Sequence, residues 1–182
     1  SKSGDSEAYL TNCSSLGVAY RRINLPDSAL YYYGKGLEAA MKSKDYSAVS
    51  NLHANIAVMY ISFKQLENAR EHAQEAITYA LKEEDALDWL QAYYICGSLL
   101  VKTGEYDQAI NYLHKAYGIA SQQQSPRFRL KVLSALLPAF QATAQDDSVR
   151  YYLNVCDRFL DELPEPSHEA IGIYETKAQL LL

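Results

Sequence analysis

The chain has 182 residues, of which 48% are hydrophobic, and its formal net charge is −5. This apolar content excludes a disordered tail, and the acidic balance argues against contact with nucleic acid by this segment. With eight glycines and five prolines, the composition favours helices over turn-rich β structure. The longest apolar runs, such as residues 95–101, are far shorter than the about 20 residues of a membrane span, so we expect no membrane insertion by this segment.

Apolar residues at helical spacing, separated by short polar breaks, predict helices along the whole chain. Pro26 and Pro126 each fit the first turn of a helix, and Ser125 fits the N-cap before Pro126. Pro138 falls inside a helix and is expected to kink it. The clearest break is segment 163–167. The predicted helices span roughly residues 5–23, 26–42, 46–63, 66–82, 85–103, 106–122, 126–144, 147–162 and 167–182.

The sequence repeats itself at a constant step of 40 residues. An alanine or valine recurs at this step, and we call these residues the anchors: Ala29, Ala69, Ala109 and Val149. Twelve residues before the anchors lie Gly17, Ala57, Gly97 and Leu137, and seven residues after them lie Gly36, Ala76, Ala116 and Cys156. Most of these side chains are small, as close approach of two helices requires. Each unit is therefore predicted to be a helical hairpin that buries one face against the next hairpin.

The order of large, small and aromatic residues within each unit resembles the tetratricopeptide repeat (TPR). The best match is the segment 93–117, in which the motif positions are taken by Tyr93, Gly97, Gly104, Tyr106, Ala109 and Ala116. The resemblance implies an all-α fold, a right-handed α-α superhelix (solenoid) of about four TPR-like hairpins and a partial fifth. The step of 40 exceeds the usual step of about 34 residues, which adds about 9 Å of helix to each hairpin.

We expect one solenoid domain over residues 1–182, with repeats near 10–45, 46–84, 85–125 and 126–165 and a partial repeat at 167–182. The last segment has only a first helix. A stacked fold would leave the face of that helix uncovered. We therefore expect the parent protein to continue beyond Leu182.

No combination of residues with the spacing of a catalytic or metal site emerges, so we expect no cofactor and no enzyme activity. Cys13, Cys96 and Cys156 lack CxxC spacing, and their repeat positions predict buried, unpaired thiols. His53 takes a packed position of its helix. His72 and His114 lie in different repeats and share no metal-ligand spacing. The acidic run at 82–88 fits a role at a helix N-terminus.

The resemblance further implies a concave face, lined by the first helix of each repeat, that holds a peptide or protein segment. The transferred positions are Arg21, Arg22, Asn51, Asn55, Gln91, Tyr94, Ser98, Lys131 and Ser134. Amide side chains could bind a peptide backbone, Tyr94 could anchor a side chain, and the basic residues could meet a carboxylate.

Two functional hypotheses follow from the resemblance. The first is a non-catalytic binding scaffold that forms the sensory or interaction segment of a larger bacterial signalling or transcription-regulatory protein. The elongated repeats and the 16 tyrosines of this sequence resemble the repeat domains of such regulators. In those regulators the array lies on the extracytoplasmic face of the membrane, so we expect that location for this chain. The alternative location is the cytoplasm. The alternative is a stand-alone TPR adaptor in a protein complex. The sequence assigns no oligomeric state.

Overall fold

The computed structural model describes residues 2–161 and 168–180. Within these residues the chain forms nine α-helices and no strand. The helices are α1 (Lys2–Arg22), α2 (Pro26–Ser43), α3 (Tyr46–Ser62), α4 (Leu66–Ala80), α5 (Ala86–Thr103), α6 (Tyr106–Gln122), α7 (Pro126–Ala142), α8 (Asp146–Asp161) and α9 (His168–Leu180). Wherever a predicted helix end lies in the described residues, it falls within three residues of the observed end. The predicted break at 163–167 lies outside the described residues.

The contacts between helices group into two compact units, Ser1–Ile95 and Cys96–Leu182. In the first unit α1 packs on α2, α2 on α3, α3 on α4, and α1 also touches α3. In the second unit α6 packs on α7, α7 on α8, and α9 touches both α7 and α8. Helices that follow one another in the chain are thus neighbours in space. The single domain over 1–182 stays a prediction.

Helix ends share one turn geometry at a step of 20 residues, half the sequence repeat. A residue one or two positions after the helix adopts a left-handed backbone conformation, with φ between 51° and 81°, at Asn24, Lys44, Lys64, Gly104, Gln124 and Ala144. After α2, the Lys44 amide donates to the Met41 carbonyl at 3.2 Å, and the Asp45 amide donates to the Ala40 carbonyl at 3.0 Å. This pair of hydrogen bonds is the Schellman motif, which satisfies carbonyls at the helix end. The longer α4–α5 connection departs from this pattern.

The predicted helix starts at the prolines are confirmed. Pro26 and Pro126 are the first residues of α2 and α7, where the missing amide hydrogen costs no helical hydrogen bond. The Ser125 hydroxyl accepts a hydrogen bond from the Phe128 amide at 3.5 Å, as an N-cap does. Helix α7 continues through Pro138. The kink there stays a prediction.

The four anchors are fully buried, at 0% exposure each. Beside them, the small residues of the first helices touch the second helices of the same hairpins. A Cβ added to Gly97 would lie 2.5 Å from Leu113 Cγ and 3.3 Å from the Ala109 carbonyl oxygen, and at Gly17 a Cβ would overlap the Tyr33 ring. Both hairpins therefore close only because these two positions carry no side chain. In the fourth repeat, by contrast, Leu137 is large and fully buried.

Large polar side chains connect successive repeats at equivalent positions. The Trp89 indole N–H donates to the carbonyls of Ala80 (2.8 Å) and Glu83 (3.0 Å) beyond the end of α4. Forty residues later, the Arg129 guanidinium donates to the carbonyls of Ala120 (3.4 Å) and Ser121 (2.9 Å) at the end of α6. Each helix end thus gains donors from the first helix of the next repeat, because its last carbonyls have no partner within their own helix.

Gly97→Ala is expected to lower the free energy of unfolding by about 1–3 kcal/mol, because the added methyl overpacks the contact with Leu113. Gly118→Ala is the matched control, since Gly118 is a helical glycine of α6 with no other group within 4 Å of the added Cβ. There the same change is expected to raise stability by up to about 1 kcal/mol through helix propensity. Urea unfolding of both variants measures the difference, and equal effects would contradict the close-approach assignment.

Candidate functional site

The first helices α1 and α3 border a cleft in the first unit. The cleft has a volume of about 230 Å³ and is lined by Leu10, Thr11, Ser14, Ser15, Ala48, Asn51 and Leu52. Its floor combines leucine side chains with hydroxyl and amide groups. A cleft with an apolar base and a few fixed polar groups is the usual form of a binding site.

Two predicted groove residues, Asn51 and Asn55, make hydrogen bonds between helices: Asn51 lines the cleft, and Asn55 is bonded to Ser14, which also lines it. Asn55 Nδ2 donates to Ser14 Oγ at 3.2 Å, which joins α3 to α1. Asn51 Nδ2 donates to Asp88 Oδ1 at 2.9 Å, which joins α3 to the start of α5. A side-chain amide has two N–H donors and one carbonyl acceptor. Each contact therefore orients an amide that keeps further hydrogen-bonding groups for a ligand.

The other predicted groove residues of the first unit are more scattered. Gln91 and Tyr94 are half-buried on α5. Arg22 is exposed in the last turn of α1. Arg21, by contrast, lies beside Tyr33 of α2: burial raises the pKa of the Tyr33 phenol, and the Arg21 charge opposes that rise. Arg21 is thus placed against the second helix of its own hairpin.

The predicted residues of the second unit lie on α5 and α7. Ser98 is half-buried, and its Oγ atom has no hydrogen-bond partner among the described residues. The Lys131 ammonium lies 6.0 Å from the centre of the Phe128 ring. Ser134 Oγ donates to the Lys131 carbonyl at 2.8 Å, within the same helix. Lys131 and Ser134 are therefore neighbours on one face of α7.

Asp88 was missed as a site residue, because an acid in the run 82–88 fits a role at a helix N-terminus. That role belongs to Asp85, whose Oδ1 accepts from the Leu87 amide at 2.7 Å. Asp88 instead points inward and is only 5% exposed. The burial of an acidic residue beside Asn51 could be found only once the direction of the first turn of α5 was known.

A histidine pair between α3 and α4 was also missed. His53 Nδ1 and His72 Nδ1 lie 2.9 Å apart and share one hydrogen bond, so one ring donates and the other accepts. Tyr79 stacks on His53, and Tyr60 stacks on His72. Burial, together with the neighbouring His72, lowers the pKa of His53 to about 4, and burial also lowers the pKa of His72. These contacts agree with the prediction that His53 takes a packed position of its helix.

Metal-ligating side chains are not clustered in the part of the chain that the structure describes. In residues 2–161 and 168–180, no three His, Cys, Asp or Glu side chains lie together in a way that could hold a metal ion. Within the same residues, none of the helices is both long and apolar enough to cross a membrane. Cys13, Cys96 and Cys156 are buried and form no disulfide, as predicted.

Residues 90–123 match the family model described as tetratricopeptide repeat. The fold of the chain is TPR-like. BtubC (BKLC) from P. vanneervenii has a similar structure, with a TM-score of 0.74 and 17% identity over 87% of this chain and 67% of that one. Two crystal structures of a putative kinesin light chain from Podosopora anserina, which has nearly identical TPR-like repeats, are also similar to this chain. One form, a variant, has a TM-score of 0.74 and 16% identity, and the other form has 0.73 and 15%; both cover 93% of this chain and 87% of that one.

These likenesses confirm the predicted TPR-like solenoid fold class. None of the curated protein sequences matches the chain significantly. TPR arrays generally bind proteins or peptides and are typically non-catalytic scaffolds, so the repeats indicate a protein-interaction scaffold.

The pKa of His53 is expected to show directly in an NMR titration of the imidazole signals. Burial disfavours the imidazolium, so the unfolded chain binds the proton more readily than the folded chain between the ordinary pKa of 6.5 and about 4. The histidine contribution to stability is therefore complete above pH 6.5 and decreases as the pH falls toward 4. In wild type we expect a His53 midpoint near pH 4. In His72→Phe the midpoint should rise yet stay below 6.5, because burial is the larger cause. A wild-type midpoint at 6.5 would contradict the buried pair.

Proposed function

We propose that this chain is a non-catalytic scaffold that binds an extended peptide or protein segment on the first helices of its repeats. The observation that carries the proposal is the cleft between α1 and α3, which is lined by Asn51 and by Ser14, the hydrogen-bond partner of Asn55. Fixed amides suit an extended segment, because its backbone presents an N–H and a C=O at each residue. An array of such groups would bind the backbone of the segment without contacting each of its side chains.

Three predicted groove residues support one continuous binding face in the first unit. Asn51 and Asn55 are four residues apart on α3, so they lie on the same side of that helix. Gln91 on α5 adds a third amide, one turn after Asp88, to which Asn51 is bonded. Tyr94, half-buried on the same helix, would supply an amphipathic anchor for an apolar side chain of the segment.

We also propose that the scaffold is the sensory or interaction segment of a larger bacterial signalling or transcription-regulatory protein. The support is the elongated 40-residue repeat and the tyrosine richness of the sequence. The alternative is a stand-alone adaptor. The gene sequence beyond Leu182 separates them: a membrane span, a coiled coil or a helix-turn-helix supports the regulator, and a prompt stop codon supports the adaptor.

The binding face is tested with peptides selected from a phage-displayed library of random 12-residue sequences on the immobilised chain. Asn55→Ala/Tyr94→Ala is expected to weaken the selected peptides by about tenfold or more in fluorescence polarisation, because hot-spot residues each contribute more than about 1 kcal/mol. The control is Asn68→Ala/Tyr31→Ala, which removes the same residue types from exposed positions on the second helices α4 and α2. Equal weakening by both variants, or a library without binders, would count against the proposal.

A further inference from the structure

The Asp88 carboxylate is buried with half of its hydrogen-bonding capacity unused. Oδ1 accepts a hydrogen bond from Asn51 Nδ2 at 2.9 Å. Oδ2 is covered by the protein and has no partner among the described residues. An ionised carboxylate has two acceptor oxygens, and a buried one is costly unless it is paired or fully hydrogen-bonded. The fold therefore keeps an acceptor that its own described side chains do not use.

The position of Asp88 in the repeat connects it to the binding face. Residues at the 40-residue step from Asp88 are Ala8, Ala48, Phe128 and His168, so Asp88 is the one acidic residue of the five. Ala48, the equivalent residue one repeat earlier, lines the cleft between α1 and α3. Asn51 lines the same cleft and also holds Asp88. Asp88 thus lies where the polar face passes from α3 to α5.

We infer that the Asp88 carboxylate receives a cationic side chain, the ammonium of lysine or the guanidinium of arginine, from the bound segment. This inference rests on the proposed function. A cation supplies both the missing donor and the missing opposite charge, and charge-assisted hydrogen bonds are the stronger ones. Asn51 acts as a positioning residue that fixes the rotation of the carboxylate. Because Oδ2 is covered by the protein, the cation enters after a local side-chain movement near the start of α5.

This assignment changes the chemistry predicted for the segment. From the sequence, Arg21, Arg22 and Lys131 favoured a carboxylate-bearing ligand. The buried, positioned charge at the face is negative instead, and a buried charge discriminates between ligands more strongly than an exposed one such as Arg22, which solvent screens. We therefore expect a segment with at least one basic residue at a fixed distance from the part held by Asn55.

The test uses the full chain and the phage-displayed 12-residue library, with selected sequences resynthesised with acetylated N-termini to exclude the terminal amine. We expect one position to be enriched in lysine or arginine. Replacing that residue by norleucine should weaken binding to wild type about tenfold or more, the scale for truncating a buried charge pair, and should weaken binding to Asp88→Asn less than about twofold. Glu84→Gln, an exposed acid of the same segment, is the control and should behave as wild type.

Each outcome decides one question. Binders without an enriched basic position, or a norleucine effect that is equal in wild type and Asp88→Asn, overturn the cation assignment and leave the scaffold proposal standing. A library without binders overturns both. If Asp88→Asn fails to fold, Asp88→Ala replaces it, because alanine is the residue at the equivalent position 48. Retention of the full norleucine effect in Asp88→Ala overturns the inference.

Discussion

The fold depends above all on the close approach of the two helices in the first and third hairpins. Gly17 lies against the Tyr33 ring and Gly97 against Leu113, at distances that leave no room for a Cβ. Gly36 extends the same principle to the next hairpin, since a Cβ there would meet Leu52 of α3 at 3.0 Å. Interiors are packed nearly as densely as organic crystals, so these contacts fix the register of each helix against its neighbour. That register decides which side chains of the first helices face outward.

The candidate face follows from this register. With one side of α3 taken by α4 and α2, the side that carries Asn51 and Asn55 meets α1 through Ser14 and the start of α5 through Asp88. Between α3 and α4, the close approach of the helices brings His53 and His72 within hydrogen-bonding distance. This bond joins the two helices inside the hairpin. Each of these polar groups that join helices is bonded to a named partner. Asp88 Oδ2 differs from them, and for this reason it carries the inference about the ligand.

The architecture was predictable because it depends on side-chain size at fixed intervals. Small residues at Gly17, Gly97 and the anchors recur at a visible step, and Gly104 was identified as a turn residue. The other left-handed turn positions, such as Lys44 and Ala144, carry no glycine and gave no local signal. The site was less predictable, since it depends on which way individual side chains turn. Asn51 and Asn55 make hydrogen bonds to Asp88 and Ser14, and Arg21 lies beside Tyr33. The burial of Asp88 and the histidine pair required three-dimensional register that spacing does not contain.

We propose that the first helices of the repeats form the binding face. Hydrogen-deuterium exchange of the chain with and without a saturating selected peptide tests it most directly, because backbone amides near a bound segment exchange more slowly. We expect added protection in peptic fragments that cover α1, α3 and the start of α5, around Ser14, Asn51 and Asp88. Protection confined to α2, α4 and α6, with α3 unchanged, would contradict it.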